Sequence, residues 1–283
     1  MVKVSLKGNE KEFENGTTVA QIAKSIGAGL YKSACAGKID GKVVDLRTPV
    51  TQDCELEILT FDSLDGKKAY WHTTSHIMAQ AVKRLFPEAG FAIGPAVENG
   101  FYYDFDLSRT LIPEDLAKIE AEMKKIIKED IPLERFELDP KDAKELMEKD
   151  NQKYKVELIE EHSGKGEKIS FYKQGDYTDL CAGPHLMSTG GVKAVKLTAN
   201  TAAYWRGDSN NKMLQRIYGI SFPKSSELEE YLAKIEEAKK RDHNILGRQL
   251  GYFTTSDLIG QGLPILLPNG ARVIQTKFLP CVL

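Results

Sequence analysis

The sequence predicts an α+β fold in two successive domains, and three observations carry it. Residues 1 to about 61 read as five short strand segments around one helix. A Gly- and Pro-free stretch, Tyr70 to Phe86, then carries His72 and His76 four residues apart and stops at Pro87. From there to about residue 224, strand-length and helix-length segments are interspersed, and a distant second pair, Cys181 and His185, again sits four residues apart.

In the first domain, Val2, Val4 and Leu6 alternate as a strand does. Gly8-Asn9 supplies a turn and Lys11–Glu14 a returning strand. Thr17 or Thr18 is placed to cap a helix over Val19–Ile26 that Gly27 ends. Ser33–Ile39 and Lys42–Leu46, joined by Asp40-Gly41, predict a hairpin, and Glu55–Thr60 alternates once more. The order ββαβββ suggests a β-grasp, ubiquitin-like domain. It contains no cluster of catalytic residue types, which favours a binding or docking role.

Phe61–Lys68 is polar and turn-rich and reads as a linker. In Tyr70–Phe86, Ile77, Met78, Ala81, Val82, Leu85 and Phe86 form one apolar stripe at helical spacing, and His72 and His76 point roughly 150° away from it. Residues i and i+4 share a face, so the two imidazoles are neighbours. Gly94-Pro95 and Asn99-Gly100 divide Phe91–Leu107 into short strands, and Pro113 opens a helix to Lys128. Pro140–Asp150 reads as a helix, Tyr154–Ile159 as a strand, and Lys168–Lys173 as a strand that delivers the chain to Asp179–His185. Gly183 and Pro184 make that second pair a turn. Val192–Thr198 is another strand. Ser226 and Glu229 fit a capping box at the head of a single polar helix reaching about Leu250, after which the chain becomes apolar and rich in Gly and Pro.

The 283 residues are 41% hydrophobic and 28% charged, with a net charge of −2. No global basic field advertises nucleic-acid binding, so an RNA contact has to use a local patch. No run approaches a membrane span and the N-terminus has no apolar signal core, so the expected location is the cytoplasm. Cys35, Cys54, Cys181 and Cys281 show no C-x-x-C spacing and are expected to be free thiols.

The two pairs admit three chemistries. Two imidazoles, a thiol and a third imidazole are good zinc ligands, and an open site activates water. The same residues without metal suit ester hydrolysis, which needs a positioned water, a base and donors for the oxyanion; Lys155 and Asp179 are candidates to assist. Cys181 is alternatively a nucleophile, if an imidazole lowers its pKa.

The first domain, His72-x-x-x-His76, IGPAVENGFYYDF, DLCAGPHL and YWRGDSNNKMLQRIYG, in that order, resemble the N-terminal half of bacterial threonyl-tRNA synthetases. The resemblance runs to about Ile274. It implies a TGS domain at 1–61, an editing domain at 62–224 of the kind shared with alanyl-tRNA synthetases, a linker helix at 225–250, and the opening of a class II aminoacylation domain at 251–283. The implied activity is hydrolysis of mischarged seryl-tRNA(Thr): one missing methyl separates serine from threonine by only about 1–3 kcal/mol, so a second site removes the error. The implied site is His72, His76, Cys181 and His185, with Lys155 and Asp179 in catalytic support and Tyr103 contacting the substrate. Tyr204, Trp205, Arg206, Lys212 and Arg216 are candidates to face the tRNA acceptor end. The alanyl relatives hold zinc on the equivalent four residues; the bacterial threonyl enzymes edit through an ordered water with no obligatory metal.

The class II motifs that carry ATP and magnesium, and the anticodon-binding domain, have no counterpart, and TKFLPCVL departs from the family pattern. ATP-dependent charging is therefore not expected, and a monomer is. The alternatives from other classes are a non-catalytic tRNA- or partner-binding remnant and a zinc-binding structural fragment.

Overall fold

Alternation and turn chemistry build the first sheet as the sequence predicts. In the computed structural model, which describes all residues except 7, 165, 167, 257, 261 and 279–283, β1 (Val2–Leu6), β2 (Asn9–Phe13), β3 (Ala34–Ile39), β4 (Lys42–Val44) and β5 (Cys54–Thr60) form a mixed sheet in the order β2-β1-β5-β3-β4. Only β1 and β5 pair in parallel. Thr18 caps α1 (Val19–Ile26), with Gln21 closing the capping box, and a short α2 (Ala28–Ser33) follows. Val4, Val19 and Ile22 are fully buried between helix and sheet, each stabilising the fold by roughly 1.5–3 kcal/mol.

The chain divides into two compact units, Met1–Leu228 and Glu229–Leu283, so both expected domains fall inside the first. Its second half is built around α3 (Leu64–Leu85). This helix begins inside the stretch read as a linker. Ser63 caps it through Gly66 N, and Gly66 lies so close to the end of β5 that a Cβ there would sit 1.9 Å from Thr60 O. The expected single apolar stripe is also corrected. Ala69–Trp71 and Thr73–Val82 are all buried, because helices and strands cover the segment on every side. Polar side chains survive there because they are paired. Trp71 Nε1 donates to Ser221 O (2.9 Å), Tyr70 OH to Phe222 O (2.9 Å), and Ser75 Oγ to Gly94 O (2.7 Å). Gln174 Nε2 donates to His76 O (3.1 Å) and to Gln80 Oε1 (2.9 Å).

Two sheets flank α3. One joins β6 (Gly90–Phe91), β7 (Ala96–Val97), β8 (Gly100–Asp106), β12 (Ala194–Tyr204) and β13 (Met213–Phe222) in the order β12-β13-β8-β6, with β7 also on β8. The other is β11-β10-β9, from β9 (Leu133–Leu138), β10 (Ile169–Gln174) and β11 (Tyr177–Leu180). Between β8 and β10 in sequence come α4 (Pro113–Glu129), α5 (Pro140–Lys149) and α6 (Lys153–Gly164). The last corrects the expected strand at Tyr154–Ile159. Tyr154 and Leu158 pack into a cluster with Trp205, while Val156 and Ile159 pack into a different one with Phe171. Helical spacing serves both clusters at once; alternation would not.

The polar helix expected over 225–250 is two helices. α7 (Ser225–Lys240) ends before Asp242, whose carboxylate accepts from Asn244 N and Ile245 N and so starts α8 (His243–Gln249). In the second unit β14 (Phe253–Thr255) and β15 (Pro264–Leu266) pair and α9 (Pro268–Val273) follows. Cys281 and the end of the divergent tail lie outside the described residues. Among the described residues, no helix is long and apolar enough to cross a membrane.

Replacing a helical glycine by alanine ordinarily favours the helix by about 1 kcal/mol. At Gly66 the clash with the Thr60 carbonyl reverses the sign. Gly66→Ala is expected to lower the urea midpoint, and an unchanged or raised midpoint would show that β5 and α3 have room to part.

Candidate functional site

The i,i+4 spacing on α3 and the turn after β11 bring the two sequence pairs together. The ring centroids of His72 and His185 are 4.2 Å apart, those of His76 and His185 4.3 Å, and those of His72 and His76 5.1 Å. Cys181 Sγ lies 3.3 Å from His72 Nε2 and 3.1 Å from His185 Nε2, and accepts from Gly183 N at 3.2 Å. One nitrogen or sulfur from each of the four residues lies within 4.8 Å of all the others. His72, His76 and Cys181 line a cavity of about 400 Å³ together with Ile93, Gly94, Pro95, Lys155 and Leu158, and His185 is fully buried beside them. His72 and Cys181 are half-buried and line this cavity, whose lining also includes the exposed Lys168 and Ala182.

Behind the imidazoles lies a buried charge. Asp179, on β11, is 2% exposed. Its Oδ1 is 2.5 Å from Lys155 Nζ on α6. Its Oδ2 accepts from Tyr103 OH (2.8 Å) on β8 and Tyr177 OH (2.9 Å), and lies 3.6 Å from His76 Nε2. Burial alone would raise this carboxyl. The Lys155 cation, His76 and the donated hydrogen bonds outweigh it and hold the group at about 2. The same burial, with the Asp179 charge, lifts both phenols well above their usual range, so they remain donors.

The imidazoles are neutral. Burial, then the neighbouring His76, pushes His72 down to about 3. Burial pushes His76 down to about 4 against the pull of Asp179. His185 falls well below its ordinary value for the same first reason. Burial raises the Cys181 thiol to about 12, which makes it a thiol rather than a thiolate near neutral pH. Hydrogen bonding fixes one tautomer. Thr73 Oγ1 donates its single proton to Ala69 O (2.9 Å) and accepts from Leu186 N (2.9 Å). It can only accept from His185 Nδ1, 3.1 Å away. The Nδ1 of His185 therefore carries the proton, and its Nε2 lone pair faces Cys181. Among the described residues, the buried His76 Nδ1 has no hydrogen-bond partner.

All six residues first expected to carry the chemistry converge here. The three expected to meet the substrate do not line the cavity. Tyr103 is fully buried and stands behind Asp179. Tyr204 is exposed at the end of β12, and Arg206 pairs with Glu161 on α6 (3.1 Å). The other candidates on that hairpin are also engaged. Trp205 Nε1 donates to Glu157 (3.0 Å), Lys212 pairs with Asp106 (2.6 Å), and Arg216 holds Asp104 through two contacts (2.7 and 2.8 Å). Tyr177, Thr73, Asp45 and Arg47 were not singled out by the sequence. Tyr177 had a signal, because it lies two residues before Asp179 and so shares its strand face.

Residues 2–60 match the TGS domain, and residues 169–218 match the threonyl and alanyl tRNA synthetase second additional domain. The second match takes in Asp179, Cys181 and His185. The threonine--tRNA ligase of Clostridium botulinum (strain Alaska E43 / Type E3) is 58% identical over 277 residues, which is 98% of this chain and 43% of that protein. That of Caldanaerobacter subterraneus subsp. tengcongensis is 58% identical over 270 residues, 95% of this chain and 42% of its own. The Acetivibrio thermocellus protein is 57% identical over 271 residues, with the same coverage. The chain thus spans less than half the length of these relatives.

Neutral buried imidazoles make a pH prediction. In the unfolded chain they titrate near 6.5, and in the folded chain His72 and His76 do so at about 3 and 4. Between about pH 6.5 and 4 the unfolded state binds more protons, so stability falls as pH falls through that window. Above it this source gives no slope. Chelator-treated protein should show a falling urea midpoint from pH 6.5 to 4.5, and a His72→Asn/His76→Asn variant a shallower fall. Parallel curves would mean that these imidazoles are charged in the folded state.

Proposed function

On the premise that the chain belongs to the threonyl-tRNA synthetase family through its N-terminal portion, we propose that it is an editing hydrolase that cleaves the aminoacyl ester of mischarged seryl-tRNA(Thr). The observation that carries this reading is one cavity lined by the neutral imidazoles of His72 and His76 and by the Lys155–Asp179 pair, with the neutral His185 packed against both rings. Ester hydrolysis needs a water whose proton has somewhere to go and a positive or donor group for the oxyanion. Neutral imidazoles supply lone pairs to orient the water and take its proton. His76 is the best placed of them, because it has an unpartnered Nδ1 on one side and Asp179 3.6 Å from Nε2 on the other. That carboxylate stabilises the imidazolium that proton transfer would form. Lys155 supplies positive charge at the cavity wall, held in place by Asp179. A thiol at about 12 is a poor nucleophile, so Cys181 serves as a wall and a hydrogen-bond partner to the imidazoles. The basic residues of the β12–β13 hairpin remain candidates to guide the tRNA end, but each named cation there already has a carboxylate partner.

A zinc-dependent variant of the same reading has its own support. The donor set fits: His72, His76, Cys181 and His185 would hold the ion, which requires the Cys181 proton to leave. Bound there, zinc would lower the pKa of a coordinated water.

Seryl-tRNA bearing threonine identity is the decisive substrate. The parent should release serine, and a His72→Ala/His76→Ala variant should do so at least about 10²-fold more slowly. Cys181→Ala should keep most of the activity if the thiol is neither nucleophile nor ligand. Zinc content after purification without chelator separates the two versions. No release by folded, excess parent protein would refute the hydrolase and leave a tRNA-binding module.

A further inference from the structure

Within its own domain the loop that carries Cys181 and His185 is held by a few bonds near its ends: Cys181 N donates to Ser170 O (3.0 Å), Ser170 Oγ to Cys181 O (2.7 Å) and Leu133 N to Met187 O (3.0 Å). Between Leu180, the end of β11, and Ser188, which bridges Pro132, the backbone is irregular, and the carbonyls of His185 and Leu186 still need donors. The donors come from the other expected domain. Arg47 lies in the turn between β4 and β5, and all five of its N–H groups are used. Nε donates to Leu133 O (2.9 Å). Nη1 donates to His185 O (3.4 Å) and Asp45 Oδ1 (2.9 Å), and Nη2 to Leu186 O (2.9 Å) and Met187 O (3.2 Å). Asp45 does the complementary work. Its Oδ2 accepts from His185 N (3.1 Å) and from Tyr172 OH (2.8 Å), and its Oδ1 accepts from Arg47 N (2.8 Å). The Tyr172 ring packs on the His185 imidazole at 4.4 Å between centroids. The same hydroxyl excludes any Cβ at Gly183, which would sit 2.2 Å from it.

The turn itself is anchored in its own domain. Leu46, between the two charged residues, is 1% exposed in the β-grasp core, and its carbonyl accepts from Ala20 N (2.8 Å) on α1. Met187, from the loop, packs against that same core. Leu46 faces one domain, and Asp45 and Arg47 grip the other.

We infer that Asp45 and Arg47 of the TGS domain are positioning residues of the hydrolytic site, and that the TGS domain acts as the outer wall of the Cys181–His185 loop rather than only as a docking module. Neither side chain lines the cavity, so neither touches substrate. Both act through His185: Asp45 holds its main-chain N–H and Arg47 its C=O. The kinetic part of the inference rests on the hydrolase reading; the structural part does not.

Two readouts on the full chain test it. In chelator-treated protein, alkylation of Cys181 by iodoacetamide is followed by mass spectrometry beside that of Cys35, a buried thiol of the TGS domain that reports unfolding. Asp45→Ala and Arg47→Ala should raise Cys181 labelling on the order of tenfold and leave Cys35 unchanged, since only the loop opens. Arg47→Lys, which keeps the charge but loses the five-donor fork, should fall between them and the parent. In seryl-tRNA hydrolysis the alanine variants should lose about 10–100-fold in kcat with little change in KM, as loosened outer supports do. Asp53→Ala, on the same domain and bonded among the described residues to Lys3 N, serves as the control that moves neither readout. Unchanged Cys181 labelling would overturn the inference, and so would equal acceleration at Cys35, which would mean general unfolding. If the parent is inactive the hydrolase reading fails, yet labelling still decides whether these residues hold the loop. Loosened labelling with parental kcat in an active enzyme would overturn the positioning role.

Discussion

Asp179 is a full negative charge with almost no solvent, and the editing half of the chain is arranged so that it can exist. A buried carboxylate is tolerated only when opposite charge and donors surround it. Lys155 comes from α6, Tyr103 from β8, Tyr177 from β11 itself and His76 from α3. Four elements that are distant in sequence must therefore meet at one point. Once they do, the cavity in front of them has a cationic wall and a set of uncharged bases. The protonation states follow from the same burial that makes the site expensive.

Charge also explains what the site does not use. Buried thiols and buried imidazoles both retreat to their neutral forms, so a nucleophilic thiolate is not available without a metal to remove the proton. Neutral imidazoles, by contrast, are what a positioned water needs. The Thr73 hydroxyl, with its one proton committed to Ala69 O, orients His185 so that its bare nitrogen faces inward. A helix backbone carbonyl thereby decides the state of a ring on a different element.

Sequence revealed the parts whose logic is local. The strand alternation at Val2, Val4 and Leu6, the turn residues Asp40 and Gly41, and the two i,i+4 pairs were readable because each signal spans a few residues. Tyr154–Ile159 was misread because Tyr, Val and Ile favour strands. What made it a helix is tertiary, since it must serve the Trp205 and Phe171 clusters and aim Lys155 at Asp179. The break at Asp242 was hidden by an unbroken charged pattern. Asp45 and Arg47 gave no signal, because their partners outside the turn lie 86 to 140 residues away and are mostly backbone atoms. The motif that carries Tyr103 did not show that it is fully buried and bonded to Asp179: a motif shows that a residue belongs to a site, but not its depth within it.

The enclosure of α3 from Ala69 to Val82, His72 excepted, limits how this sequence can vary. Most helices have a solvent face where substitutions are cheap. From Ala69 to Val82 this one has none: Thr74 is bonded to Ser221, Ser75 to the Gly94 carbonyl, Gln80 to Gln174 and Asp176, and the apolar positions are packed. The two histidines thus sit in a segment with no position free to drift. Changes to the cavity are correspondingly easier to make at Ile93, Pro95 and Leu158, which line it from outside this helix, than on the helix that carries the two imidazoles.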